Sequence, residues 1–560
     1  MTAEHGAETA VPVVDPTDEA TRHLASAVHL DDALADAVVT EFVLEPKRAV
    51  PPSPGVRAEV VLREALAARA RRRITTSAVL VLLLIFALLA PAQALLWLFV
   101  ALAIAASAMV ATVLTARLSP QRRAAARWGI AAALGLVLAA VVGLLFAAVV
   151  TAAEQADLES DAMVGVALGP EYLLVVALYA ALLLHHLSRQ LLVSNSFAYG
   201  VFQPDAPPRP FAAWASGAYV DRLRRIAEFD ARQRMLPASE IVVYRGLDPF
   251  VGGGAWVNSW SKAFELHAAE NGAAVPTFRP AELQDYITTE LLGLRRTPTL
   301  APGWRFSNLQ VSHWALLAAG QLLHYNGART FLNQLNEGVN PRMTDRDWAS
   351  LMDSSPEWLR YYRCYRVEGW ERQLVVSGYL HVGCEERTLY LEWNSYVLPP
   401  VAPEYRTVDS PSRLPVLRAL WDALRDLVFL PVTVPARVVD LVRALWERSG
   451  VGRGRWHSPA QAGHVFGADL SVRELGADDD LPSFFERTDA DRFLKIIERR
   501  VFEAVRAFLA ERGISTAEFD AMVREINQHT VFNHCDVIAG NIGGKGNVAS
   551  VHAGGAQRKA

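Results

Sequence analysis

The stretch richest in possible chemistry is Tyr244-Arg245-Gly246-Leu247-Asp248-Pro249-Phe250-Val251-Gly252-Gly253-Gly254. A strand-borne arginine followed by a glycine-rich loop can cradle a phosphate, because glycine accepts positive φ and lets backbone N–H groups approach an anion closely. Arg245, Gly252, Gly253 and Gly254 are therefore the candidate residues for binding a nucleotide or NAD. The features that usually complete such a cradle are missing: no Gly-Lys-Ser/Thr ends the loop, and no G-x-G-x-x-G opens a helix. The competing reading is architectural. Asp-Pro and three glycines between two strand-like stretches suit a long hairpin turn, and under that reading, which the pattern favours, no cofactor is bound.

Tyr244-Arg245-Gly246 on a strand resembles the strand arginine of ADP-ribosyltransferases, which would imply an NAD-using enzyme centred on Arg245. The rest of that family's pattern departs. Asn258-Ser259-Trp260-Ser261 follows too soon for its Ser-Thr-Ser-like strand, and Glu385-Glu386 is not its Glu-x-Glu turn. Other ligand-type residues give less. His313 and His324 fall in 311–326, which reads as helical, and no second pair at ligand spacing accompanies them. His529, His534, Cys535 and Asp536 do not share a helix face. Cys364, Cys384 and Cys535 are odd in number and in no C-x-x-C spacing, which argues against a disulfide framework and a zinc-thiolate site. No metal and no cofactor are expected, and no catalytic residue is identified.

The elements that would position these residues follow from hydropathy and charge. The chain has 560 residues, 52% of them hydrophobic, with the excess concentrated between 74 and 187. A net charge of −4 gives no reason to expect a nucleic-acid partner. Residues 74–116 carry no charge, and as one helix they would be roughly 65 Å long, about twice the hydrocarbon thickness of a bilayer. The stretch must turn back, and Pro91 is the place. This predicts spans at 74–90, 94–116, 129–151 and 164–187. Arg69, Arg71, Arg72 and Arg73 precede the first span, and Arg117, Arg122, Arg123 and Arg127 fill the second linker. The loop between the last two spans holds Glu154, Asp157, Glu159 and Asp161. Basic segments stay inside, so both termini are cytoplasmic in a multi-pass protein of the cell membrane. Spans one to three contain no ionisable residue, which suits an anchor better than a transport path. Gly135, Ala139 and Gly143 form a small-residue stripe for bundle packing or self-association.

The fold class is thus a membrane protein, with a four-helix transmembrane region plus a soluble α+β C-terminal domain. Residues 1–73 are a cytoplasmic segment with short amphipathic helices, and 74–187 the transmembrane region. Residues 188–410 form the α+β domain, with strands near 240–246 and 255–264 and the strongest β signal at 363–398. There, 372–382 and 387–398 flank the turn Gly383-Cys384-Glu385-Glu386. Residues 411–449 are paired amphipathic helices, broken at Pro431 and Pro435. Trp421 and Trp446 sit on their apolar faces beside Arg418, Arg425 and Arg443, so they suit either an anionic leaflet or the flank of the sheet. Residues 450–536 are a helical subdomain, and 537–560 a Gly/Asn-rich tail with two G-N-apolar repeats.

The span arrangement, the YRG-x-DPFVGGG segment and the VIAGNIGGKGN tail resemble uncharacterised multi-pass membrane proteins of high-GC bacteria with a large cytoplasmic C-terminal domain. That resemblance implies no activity. Two functions follow: a membrane-anchored scaffold or sensor whose cytoplasmic domain binds a partner, or a tethered nucleotide- or NAD-using enzyme centred on Arg245 and the Gly252–Gly254 loop. The lipid bilayer is the expected partner in both.

Overall fold

The computed structural model describes residues 16–115, 170–233, 239–270, 274–296, 306–409, 415–449 and 459–532. The expected span 129–151 with Gly135, Ala139 and Gly143, the linkers on either side of it, and the tail lie outside the described residues. Helices α1 (Pro16–Leu30), α2 (Asp32–Phe42), α3 (Ala58–Leu89), α4 (Pro91–Thr115), α5 (Pro170–Ser196), α6 (Pro210–Ser216) and α7 (Val220–Gln233) come first. Strands β1 (Ser239–Tyr244) and β2 (Ala255–Glu265), α8 (Pro280–Gly293), β3 (Gln310–Ala318), α9 (Arg329–Asn336) and α10 (Asp345–Asp353) follow. Then come β4 (Leu359–Gly369), β5 (Leu374–Glu385) and β6 (Thr388–Leu398). Helices α11 (Pro415–Val428), α12 (Leu430–Ser449), α13 (Pro459–Phe466), α14 (Val472–Leu475), α15 (Phe484–Glu511) and α16 (Ala517–Phe532) end the described chain. The chain divides into two units. One comprises Met1–Ala68, Ser196–Ser410 and Gly452–Ala560; the other comprises Arg69–Asn195 and Pro411–Val451.

The first unit is α+β and is built on a six-stranded mixed sheet of order β1-β3-β4-β5-β6-β2. Only the β1–β3 pair is parallel. The β5–β6 hairpin forms where its alternation predicts, with a tighter turn: Glu385 pairs with Thr388, and Glu386 takes φ +49°. Two expectations are corrected. Residues 311–326 are not helical, because β3 occupies Gln310–Ala318 and a 3-10 turn follows at Ala319–Leu323. Leu and Ala favour helix locally, but hydrogen bonding to β1 on one side and β4 on the other overrides that preference. Nor do β1 and β2 form a hairpin. They lie at opposite edges of the sheet, so the glycine-rich segment between them crosses a sheet face instead of reversing.

One face of the sheet is the core. Tyr365, Val367, Leu380, Val382, Leu389, Leu391 and Trp393 pack there against Leu283, Ile287 and Leu291 of α8. Ile497, Val501, Val505 and Phe508 of α15 complete it at helical spacing, as an amphipathic helix laid on a sheet must.

In the second unit, α3 beyond Ala68, α4 and α5 are strongly apolar. Among the described residues two helices, Ala58–Leu89 and Leu173–Ser196, are long and apolar enough to cross a membrane. The break between α3 and α4 falls at Ala90, and Pro91 starts α4 at a position that needs no N–H donor. A small core of Val79, Leu178, Leu182, Ala423 and Leu430 joins these helices to α11 and α12. Polar contacts add to it. Trp97 Nε1 donates to the Val428 carbonyl at 3.2 Å, and Glu447 pairs with Arg69 at 2.9 Å and Arg73 at 2.5 Å. The break expected at Pro431 and Pro435 is also corrected: α12 begins before both and contains Pro435. Leu417, Trp421, Leu424, Val439, Val442 and Trp446 are exposed.

The core packing makes a prediction at Gly378 on β5. A Cβ there would fall 2.1 Å from the ring of Trp393, which is 1% exposed and donates from Nε1 to Ser395 Oγ at 2.7 Å. Gly378→Ala is expected to destabilise the chain by about 1–3 kcal/mol, the usual cost of overpacking. Gly383→Ala, with nothing closer than 3.7 Å, should leave stability within about 0.5 kcal/mol. Thermal denaturation checks this, and equal melting temperatures for the two variants would contradict the packing.

Candidate functional site

Strand alternation sends a different set of residues to the second sheet face. Ser312, Cys364, Tyr379 and Asn394 form one row across β3, β4, β5 and β6, and Arg366, Ser377 and Tyr396 form the next. Glu240 enters from β1 opposite Trp314. His381 and Glu392 are cross-strand partners on the same face. This face carries more polar groups than the other, beside a buried cluster of Val242, Phe250, Trp314 and Leu316.

Residues 245–254 lie across it. Gly246, Gly252 and Gly254 adopt φ of +87°, +97° and +94°, which L side chains rarely tolerate. Phe250 packs its ring against Tyr379 at 4.5 Å and against Tyr362 and Tyr396 at 5.0 Å. Asp248 Oδ1 accepts from Phe250 N at 2.9 Å and from the Tyr396 hydroxyl at 3.0 Å. A Cβ on Gly253 would fall 3.0 Å from the Tyr379 hydroxyl, so the glycine lets the backbone lie directly on the sheet.

The loop does cradle an anion, and the anion belongs to the chain. Gly252 N and Gly254 N both donate to Glu474 Oε1 at 2.9 Å. Glu474 Oε2 accepts from Ser471 N at 2.7 Å. Burial pushes the Glu474 carboxyl above its ordinary range, against the pull of these hydrogen bonds. Arg245 is engaged elsewhere. Its Nη2 is 2.9 Å from Glu41 Oε2, its Nη1 3.1 Å from His464 Nδ1 and its Nε 3.9 Å from Asp469. The arginine and the loop amides therefore serve two different carboxylates and do not converge on one ligand.

The remaining ligand-type residues are dispersed. His313 Nδ1 lies 2.7 Å from the Tyr361 hydroxyl, and burial pulls its pKa down to about 4. Cys364 is buried and its thiol pushed up to about 11, which suits a packing role and not a nucleophile. His534, Cys535 and Asp536 lie outside the described residues. Glu19, His23 and Asp409 come close enough to hold a cation. The Arg22 guanidinium already sits among them, 2.7 Å from Glu19 and 2.6 Å from Asp409, so the group is a closed ion-pair network.

Sequence reasoning found the alternation of a half-exposed sheet at Tyr390 and Glu392 but did not single out that polar face as a candidate site. At its open end the half-buried Glu392 accepts from the Tyr362 hydroxyl at 2.8 Å and Asn394 Nδ2 at 2.9 Å. Tyr390 touches Ser261 at 2.7 Å, and His381 Nδ1 meets the Tyr361 carbonyl at 2.8 Å. Under the loop, Glu240, Arg366 and Ser377 are buried. The signal was present in Tyr390-x-Glu392-x-Asn394, a period-2 polar run that on its own reads as a wetted strand face.

Burial of Glu240 makes stability depend on pH. Only 4% exposed, its carboxyl is pushed up to about 7, with Arg366 pulling the other way. The folded chain holds this proton more tightly than the unfolded one, whose ordinary value is 4.5. The stability tied to the neutral carboxyl is complete below that value and is lost as pH rises through 7, by up to about 3 kcal/mol. Melting temperature should fall between pH 5 and 8, and Glu240→Gln should flatten the decline. An unchanged slope in the variant would contradict the assignment.

No curated protein and no solved structure matches the chain. Residues 259–547 match the AbeC-like domain. The match takes in Ser261, Arg366, Glu392 and Glu474 and leaves Arg245 and the three loop glycines outside. Because it spans 289 of 560 residues, the chain belongs to the AbeC-like family.

Proposed function

We propose that this chain is a multi-pass protein of the cell membrane, with spans at 74–90, 94–116, 129–151 and 164–187 and both termini cytoplasmic. It works as a membrane-anchored scaffold or sensor whose sheet-bearing unit binds a partner. The observation that carries this reading is the surface of the second unit. Leu84, Leu88, Phe99, Leu173 and Leu184 are exposed on its apolar helices. Large exposed apolar surfaces mark membrane or partner contacts. On α11 and α12, Trp421 and Trp446 are exposed close in sequence to Arg418, Arg425 and Arg443, the arrangement of helices lying on an anionic leaflet. Self-association through Gly135, Ala139 and Gly143 belongs to the same proposal. Binding is favoured over nucleotide chemistry because Arg245 and the loop amides already have partners within the chain.

Topology tests the anchor. With Cys364, Cys384 and Cys535 replaced, single cysteines at Ala156 and Ser119 are treated with a membrane-impermeant thiol reagent in intact cells. Labelling is expected at 156 alone. Equal labelling at 119 would overturn the four-span arrangement.

A further inference from the structure

Beneath residues 245–254 the polar sheet face holds groups that no protein atom satisfies. Arg366 is 8% exposed, and its Nε and Nη2 have no hydrogen-bond partner. Ser377, its cross-strand partner, and Tyr379 are fully buried; the Ser377 hydroxyl is unpaired, and the Tyr379 hydroxyl has only the Cys364 thiol beside it. Glu240 Oε2 is unpaired as well. Buried polar atoms are usually matched, since leaving them dry is costly; of those unmatched among the described residues, these share neighbouring rungs of one sheet face.

Their identity points to a ligand class. Nε and Nη2 form one edge of the guanidinium plane, the fork that grips two oxygens of a carboxylate or phosphate at once. The Ser377 and Tyr379 hydroxyls add two donors beside it. Glu240, pushed up to about 7, can donate also when protonated. Glu368, the other acid near Arg366, is already paired with Arg372. Residues 245–254 lie directly above: Gly253 meets Tyr379, and Phe250 fills the gap among three tyrosines.

We propose that Arg366, with Ser377 and Tyr379, anchors a buried site for an oxyanion, the carboxylate or phosphate group of a small ligand, and that residues 245–254 cover it. The site goes beyond the anchoring reading and stands if that reading fails.

The test uses the full chain in detergent micelles, titrated with sodium phosphate and separately with sodium acetate at constant ionic strength, with chloride as reference. Melting temperature and calorimetric binding are both read. One of the two oxyanions is expected to bind saturably and raise the melting temperature, and which one does so distinguishes phosphate from carboxylate ligands. Arg366→Lys keeps the charge but loses the fork, and Ser377→Ala loses one donor, so each should weaken binding about 10-fold or more. Arg499→Ala, on the exposed side of α15, should bind as the parent does. If neither anion exceeds chloride, or if binding survives Ser377→Ala unchanged, the site is overturned and ordered water satisfies these groups. Ser377→Ala decides the matter if Arg366→Lys fails to fold.

Discussion

A single buried carboxylate takes three backbone N–H groups, and much of the first unit is arranged around it. Glu474 receives Gly252 N, Gly254 N and Ser471 N, the last as half of a capping box that starts α14. The next contacts come from the same short segment. Arg473 Nη2 donates to the carbonyls of Gln373 and Pro399 at 2.9 Å, at the start of β5 and the end of β6. Gly476 leaves room for Leu24 of α1, which a Cβ would meet at 2.1 Å, and its carbonyl accepts from Ala402 N. Removing the carboxylate would orphan three donors, each costing about 1–3 kcal/mol when buried.

Laying the loop across the sheet has a functional consequence. It divides the polar face into a covered part around Arg366 and an open part around Glu392, while the opposite face is committed to α8, α15 and α16. An antiparallel sheet with one face in the core commonly gives its other face to water. Here that other face carries arginine, glutamate, histidine and tyrosine side chains and is partly roofed by residues 245–254.

Local rules explain what could be read in advance. The β5–β6 hairpin, the turn at Pro91 and the apolar stripe of α15 each depend on residues close in sequence, so periodicity and turn chemistry reveal them. β3 was hidden because Leu316, Leu317 and Ala318 prefer helix, and its strand state is imposed by neighbours 42 to 74 residues away. The segment 245–254 has the composition of a tight turn whether its flanking strands pair or lie at opposite edges, and nothing local distinguishes the two. Its anion was equally hidden: Glu474 lies 222 residues from Gly252, in a Ser-x-x-Glu capping box that signals only the start of a helix. Arg366 and Ser377 become neighbours only through the β4–β5 register.

The most direct measurement is amide hydrogen exchange at Gly252 and Gly254. Both amides should exchange slowly, although they lie outside any strand, because a buried carboxylate holds them. In Glu474→Ala both should accelerate by about 10-fold or more, while the β5–β6 amides, serving as an internal control, keep their protection. Exchange at the rate of an open loop in the parent chain, or unchanged protection in the variant, would contradict the account.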